Sequence, residues 1–157
     1  MASHIQVNHH ISNLQDLEVF TKNLANQLQG SETLELISDL GGGKTTFVRF
    51  LAKFLKSQDP VCSPSFTIEN IYRCPDFNIH HFDFYRLEEP GVCQYELAEA
   101  LANPKALVIV EWSRIVKNVL PNKRLVININ PRWQGNDPNQ RDLHMTIPPS
   151  LKYLAVA

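Results

Sequence analysis

The stretch Ser38-Asp39-Leu40-Gly41-Gly42-Gly43-Lys44-Thr45 constrains this chain more than any other. Three successive glycines let the backbone turn where side chains would clash. Before them, Thr33–Ile37 reads TLELI, with Leu34 and Leu36 on one side and Thr33, Glu35 and Ile37 on the other, a strand pattern. After them, Lys44 to Lys56 carries Phe47, Val48, Leu51, Phe54 and Leu55 as an apolar helical stripe. A strand that passes through glycines straight into an amphipathic helix needs a buried sheet with a helix packed on it.

The rest of the chain agrees. Asn13 or Leu14 to Leu28 is predicted helical, with Leu14, Leu17, Thr21, Leu24 and Leu28 on one face, Ser12 and Gln15 as a capping box and Gly30 as the stop. Phe66–Tyr72 and Ile79–Phe84 are predicted to form a hairpin around the Pro75-Asp76 turn. Pro90 opens a short helix reaching about Ala102. Ala106–Val110 (ALVIV) is unbroken and apolar, as in a strand buried on both faces. Arg124–Ile129 and Leu143–Ile147 are further strands, separated by a loop over Trp133–Asn139. Helices and strands interleave, so the expected class is α/β, P-loop NTPase-like: a mixed, mainly parallel sheet flanked by helices, with a β-hairpin insertion after the P-loop helix. A length of 157 residues fits one domain, 1–157.

The glycine-rich stretch follows G-x-x-x-x-G-K-[ST], apart from Ser38 at the first glycine. Triphosphate oxygens need several inward-pointing donors at once. Backbone N–H groups of Leu40, Gly41, Gly42, Gly43 and the first helical residues, Thr46 included, supply them, and the helix dipole adds positive potential. The Lys44 ammonium reaches the β- and γ-phosphates, and the Thr45 hydroxyl ligates Mg2+. Ser38 lies farthest from the phosphates, so serine there is expected to strain the turn more than to remove a ligand contact.

Acidic residues at the ends of buried strands serve the metal and the attacking water in such sites. Asp83 ends FNIHHFD and Glu111 follows ALVIV. Ser63, Ser65 and Thr67 form a hydroxyl-bearing loop that could sense phosphate or serve only as turn residues. Trp112 stands beside Glu111. His80 and His81 are adjacent on a strand and so point to opposite faces, which argues against one metal cluster. Asn122-Lys123-Arg124-Leu125 lacks the aspartate that pairs with guanine in N-K-x-D, so ATP, with ADP as product, is the expected nucleotide.

A formal net charge of −1 gives no broad basic surface for nucleic acid or membrane. The longest apolar run, Ala106–Val110, is far short of the roughly 20 residues a membrane span needs. Met1–His10 is polar and lacks the pattern of a signal peptide. A cytoplasmic location is expected. The three cysteines, Cys62, Cys74 and Cys93, show no C-x-x-C spacing and are read as ordinary neutral side chains.

Several segments together resemble the bacterial TsaE (YjeE) family. They are Asp39 to Arg49 (DLGGGKTTFVR), Ser63-Pro64-Ser65-Phe66-Thr67, His81 to Leu87 (HFDFYRL), Val110-Glu111-Trp112 and Leu120-Pro121. The resemblance runs from about Leu14 to Ile129, and D-x-Y-R-L and V-E-W at these distances make it specific. It implies a small P-loop ATPase, slow without partners, in the biosynthesis of threonylcarbamoyladenosine beside the tRNA anticodon. Such a protein docks on the TsaB–TsaD pair and resets it by hydrolysing ATP, meeting tRNA only through that complex. Carried over, Lys44 would hold phosphate, Thr45 and Asp83 the metal, and Glu111 would orient the attacking water and stand near the metal. Trp112 would shape the site, and Ser63 to Thr67 would respond to the γ-phosphate. Ser38, Ser65, Ser113 and the Tyr95-Glu96-Leu97-Ala98 segment depart from the family's pattern. An arginine finger would come from Arg86 or a partner. A small-molecule P-loop kinase, with Arg132 and Arg141 flanking a lid, and a nucleotide-gated binding module without useful hydrolysis are the alternative readings.

Overall fold

The computed structural model describes residues 2–133 and 136–156. The loop expected over Trp133–Asn139 thus includes Gln134 and Gly135, which lie outside the described residues. Among the described residues, seven strands and three helices follow one another: β1 (Ile5–Ile11), α1 (Leu14–Gln27), β2 (Thr33–Ile37), α2 (Lys44–Phe54), β3 (Glu69–Tyr72), β4 (Asn78–Asp83), α3 (Cys93–Ala102), β5 (Ala106–Glu111), β6 (Leu125–Pro131) and β7 (Arg141–Ile147). Short 3-10 turns cover Ser113–Val116 and Pro149–Val156. No helix among the described residues is long and apolar enough to cross a membrane.

All strands join one sheet, in the order β1-β7-β6-β2-β5-β4-β3. The four central strands, β6, β2, β5 and β4, run parallel, and β1, β7 and β3 are antiparallel additions. The class is mixed α/β, as expected. β3 and β4 pair antiparallel from Glu69↔Phe82 to Tyr72↔Ile79, while β4 also pairs with β5, so both strands extend the main sheet.

The pleat divides the core in two. Leu107 and Ile109 of β5 join Leu34, Leu36 and Ile79 beneath α1 and α2. Ala106, Val108 and Val110 join Phe82 on the other face, beneath Leu97 and Ala100 of α3. Burial on both faces explains the unbroken ALVIV run. It also fixes direction: Glu111, His81 and Asp83 fall in phase with Ile109 and Ile79, on the α2 face, whereas Glu35 falls on the face of α3.

Four local expectations need correction. The N-terminal segment is not merely polar. Ile5–Ile11 is an edge strand paired with β7 from Ile5↔Ile147 to Ile11↔Arg141, and only Ile11 is fully buried, which leaves its apolar signal faint. α1 is capped by Asn13, whose side chain accepts from the Asp16 N–H at 2.9 Å while Asp16 accepts from the Ser12 N–H at 3.0 Å; the Ser12–Gln15 box was one residue early. The helix placed from Pro90 begins at Cys93, because Gly91 has φ 51° and Pro90 belongs to a turn closed by the Cys93 N–H. The strand placed from Phe66 begins at Glu69, because Ile68 has φ 68°, outside the strand region.

Candidate functional site

The carboxyl ends of the parallel strands meet in a cleft of about 250 Å3 lined by Leu40, Gly41, Gly42, Gly43, Lys44, Thr45, Thr46, Ser63, Ser65, Asp83, Tyr85, Glu111 and Trp112. Open α/β sheets bind ligands at this end. Every site residue expected from the sequence lines the cleft except Thr67, whose hydroxyl is exposed and donates to Asn70 Oδ1 at 2.8 Å. Tyr85 is a lining residue that the sequence reading passed over.

The loop geometry follows from its glycines. Gly43 is the residue before α2, with φ 105°, and no side chain caps the helix, so the first-turn N–H donors remain open. Gly42 has no room for a side chain: a Cβ there would lie 1.7 Å from Ser38 Oγ and 2.9 Å from the Asp39 carbonyl oxygen. Ser38 itself is not among the positive-φ residues. Its departure from the pattern therefore does not strain its own backbone as expected. Its cost is a buried hydroxyl without a hydrogen-bond partner, lodged beneath Gly42. Arg141 of β7 braces the loop from outside, donating from Nε to the Gly42 carbonyl at 2.9 Å.

Lys44 is 7% exposed. Its Nζ donates to the carbonyls of Ser38 (3.2 Å) and Asp39 (3.1 Å) and lies 4.8 Å from the Trp112 ring centre. Burial pulls the ammonium below its ordinary pKa, and the nearby Glu111, Asp83 and Asp39 oppose that shift. Trp112 has φ 54° and ψ 49°, a left-handed backbone uncommon outside glycine, and its ring meets that of Tyr85 at 4.9 Å. Strain of this kind collects at functional positions.

Asp83 and Glu111 are each 2% exposed and stand directly opposite each other in the β4–β5 register. Asp83 accepts from Ser65 Oγ and from the Tyr85 N–H, at 2.8 and 2.9 Å. Ser63 Oγ lies 2.8 Å from Ser65 Oγ, so both serines are tied to the carboxylate. Glu111 Oε1 lies 2.8 Å from His81 Nε2. His80 faces the opposite way, against Glu69 at 2.8 Å, as strand alternation required. Arg86 is absent from the lining and sits over the exposed Phe66 ring at 3.9 Å. The cysteines are unpaired, and burial pushes the Cys74 thiol up to about 11.

Sequence reasoning also missed a further buried carboxylate, Glu35, on the α3 face. It accepts from Ser113 Oγ and from Arg124 Nε at 2.6 Å. Ser113, the residue after Glu111-Trp112, thus has a polar partner rather than a packing role alone. Glu35 lines a separate recess with Phe84, Leu87 and Ile115, and Trp112 borders both spaces.

Comparison with known proteins places this arrangement. Residues 11–141 match the family described as "Threonylcarbamoyl adenosine biosynthesis protein TsaE". The chain belongs to the TsaE family. A curated TsaE of Rickettsia typhi, a tRNA threonylcarbamoyladenosine biosynthesis protein, is 34% identical over 122 residues, covering 77% of this chain and 84% of the relative. A TsaE of Aquifex aeolicus is 36% identical over 100 residues, covering 62% and 70%. The crystal structure of Bacillus subtilus YdiB superposes with a TM-score of 0.73 at 25% identity, over 98% of this chain and 94% of that one.

As a TsaE chain, it offers residues that fit a nucleotide and Mg2+. The loop backbone is open and faces the cleft, a buried cation stands at its base, and two buried carboxylates and the Thr45 hydroxyl supply the hard oxygen donors that Mg2+ prefers.

Proposed function

We propose that this chain is the ATPase component of tRNA threonylcarbamoyladenosine biosynthesis, binding ATP with Mg2+ and acting in the cytoplasm on a TsaB–TsaD complex. Whole-chain action as one domain is part of this reading. The observation that carries it is the convergence of Lys44, Thr45, Asp83 and Glu111 on one cleft at the carboxyl ends of the parallel strands.

The roles follow from that geometry. Backbone N–H groups from Leu40 to Thr46 and the Lys44 ammonium hold the phosphates. Binding a polyanion draws Lys44 away from the Ser38 and Asp39 carbonyls. Thr45 and Asp83 hold Mg2+, which when bound neutralises charge on the phosphate oxygens. Glu111 orients a water in line with the γ-phosphate and takes the water's proton as the water oxygen bonds to the γ-phosphorus, while the bond from the γ-phosphorus to the bridging oxygen breaks and ADP leaves beside inorganic phosphate. Ser63 and Ser65, fastened to Asp83, respond to the presence of the γ-phosphate. Trp112 and Tyr85 wall the site. No arginine lines the cleft among the described residues, which supports slow turnover alone and an accelerating partner.

The test is phosphate release from ATP and Mg2+ by the purified chain, with and without TsaB–TsaD. Stimulation by the pair supports the reading. A chain that binds nucleotide but releases no phosphate in either setting is a nucleotide-gated binding module.

A further inference from the structure

We propose that His81 is a positioning residue that holds the Glu111 carboxylate and ties it to the loop after α2. The proposal rests on the ATPase reading for its functional meaning and adds residues to it. It starts from a chain of contacts inside the sheet. His81 is fully buried, with Nε2 2.8 Å from Glu111 Oε1 and Nδ1 3.1 Å from the Tyr72 hydroxyl. Tyr72 is 2% exposed, and its hydroxyl is also 2.8 Å from the carbonyl oxygen of Cys62. Asn70 donates to the same carbonyl at 3.2 Å.

A carboxylate only accepts hydrogen bonds, so Nε2 must carry the proton toward Glu111. Buried polar groups need partners, and this bond leaves Glu111 with one oxygen engaged and the other free for the cleft it lines. The hold is directional, because Nε2 meets Glu111 while Nδ1 faces the Tyr72 hydroxyl. A ring so fixed keeps a carboxylate in one rotamer, as partners behind metal-bound histidines do.

The far end of the chain is the more informative one. The Tyr72 hydroxyl has a single proton and faces two acceptors, the Cys62 carbonyl and, in the neutral ring, His81 Nδ1. Cys62 leads directly into Ser63, whose hydroxyl meets that of Ser65, and Ser65 donates to Asp83. The network is therefore nearly a ring: Glu111, His81, Tyr72, the Cys62 carbonyl, the serine loop, Asp83, and back across the β4–β5 register to Glu111. A loop movement that shifts the Cys62 carbonyl changes which acceptor holds the Tyr72 proton, and with it the support behind Glu111.

The experiment compares His81→Leu, His81→Gln and Tyr72→Phe with wild type, reading phosphate release against ATP in the presence of Mg2+ and TsaB–TsaD. In His81→Leu, kcat should fall about 10- to 100-fold, the usual effect of losing such a support, with the KM for ATP little changed. His81→Gln, which keeps a donor near the Nε2 position, should recover much of that loss. Tyr72→Phe should give a smaller kcat loss. Equal rates in wild type and His81→Leu overturn the proposal, as does a glutamine variant as slow as the leucine variant while equally folded by circular dichroism.

A second arm needs no turnover. Nitrogen NMR of histidine-labelled protein should show His81 protonated at Nε2, with a signal displaced by both Glu111→Gln and Tyr72→Phe. A signal indifferent to both overturns the proposal. A wild type that binds nucleotide without releasing phosphate sinks the ATPase reading alone, and the NMR arm still decides whether His81 holds Glu111.

Discussion

The parallel centre of the sheet and its antiparallel wing solve the same problem, pairing polar side chains, in opposite ways. In the centre, Glu35, His81, Asp83 and Glu111 are all at most 2% exposed, and each is engaged by a defined partner. In the wing, β1 and β7 pair Asn8 with His144, Gln6 with Thr146 and His10 with Asp142, all exposed. Water can replace a lost partner in the wing but not in the centre. The difference teaches where a polar substitution is consequential: burial, not the number of hydrogen bonds, sets the cost.

The comparison can be broken at several points. The largest expected effect is on chemistry: Glu111→Gln should lower partner-stimulated phosphate release about 10²- to 10⁴-fold while nucleotide binding persists, measured by single-turnover kinetics. Arg124→Met, on the face of α3 and away from the phosphates, leaves the buried Glu35 carboxylate with Ser113 alone. It should cost roughly 3–5 kcal/mol of stability in urea unfolding. Lys44→Ala should weaken nucleotide binding about 10²- to 10³-fold, read by titration with a fluorescent ATP analogue, with the fold retained. In the wing, Asn8→Ala should change stability by less than about 0.5 kcal/mol in the same urea assay. A larger loss there would mean that exposure alone does not separate the regions.

The smallest effect is a pH effect. The hydrogen bond from His10, reinforced by Arg132, holds the Asp142 carboxyl below its ordinary pKa. A depressed carboxyl stabilises the fold above its unfolded pKa and loses that contribution as pH falls through the folded value. Asp142→Asn should therefore trail wild type slightly at neutral pH and match it once the acid has titrated, a convergence visible in thermal midpoints measured down the acid limb.

The same contrast governs what could be read from the sequence. α2, β5 and the phosphate loop were legible because helical period, an unbroken apolar run and three glycines are strong local signals. Asp83 and Glu111 were legible because each follows a buried strand. β1 was not, since an edge strand with one fully buried residue leaves little periodicity. The shortened β3 was hidden by the left-handed Ile68, a conformation that its residue type disfavours. Thr67 sits in the right segment, yet its hydroxyl is spent on Asn70. The Glu35–Ser113–Arg124 group and the bond from His81 to Glu111 join residues distant in sequence, and no local pattern encodes such pairs.

The strand order carries a consequence for how the molecule is made. β1 has a single neighbour, β7, and Gln6 meets Thr146 across 140 residues of chain. A ribosome adding 5–20 residues per second leaves the first strand waiting roughly 7 to 30 s for its partner. The strands that carry the phosphate loop, Asp83 and Glu111 pair with one another and with β6 and β3, and all of these precede β7 in the chain. The cleft can thus assemble while the growing chain still has an unpaired N-terminal strand, and the brace from Arg141 to Gly42 arrives last.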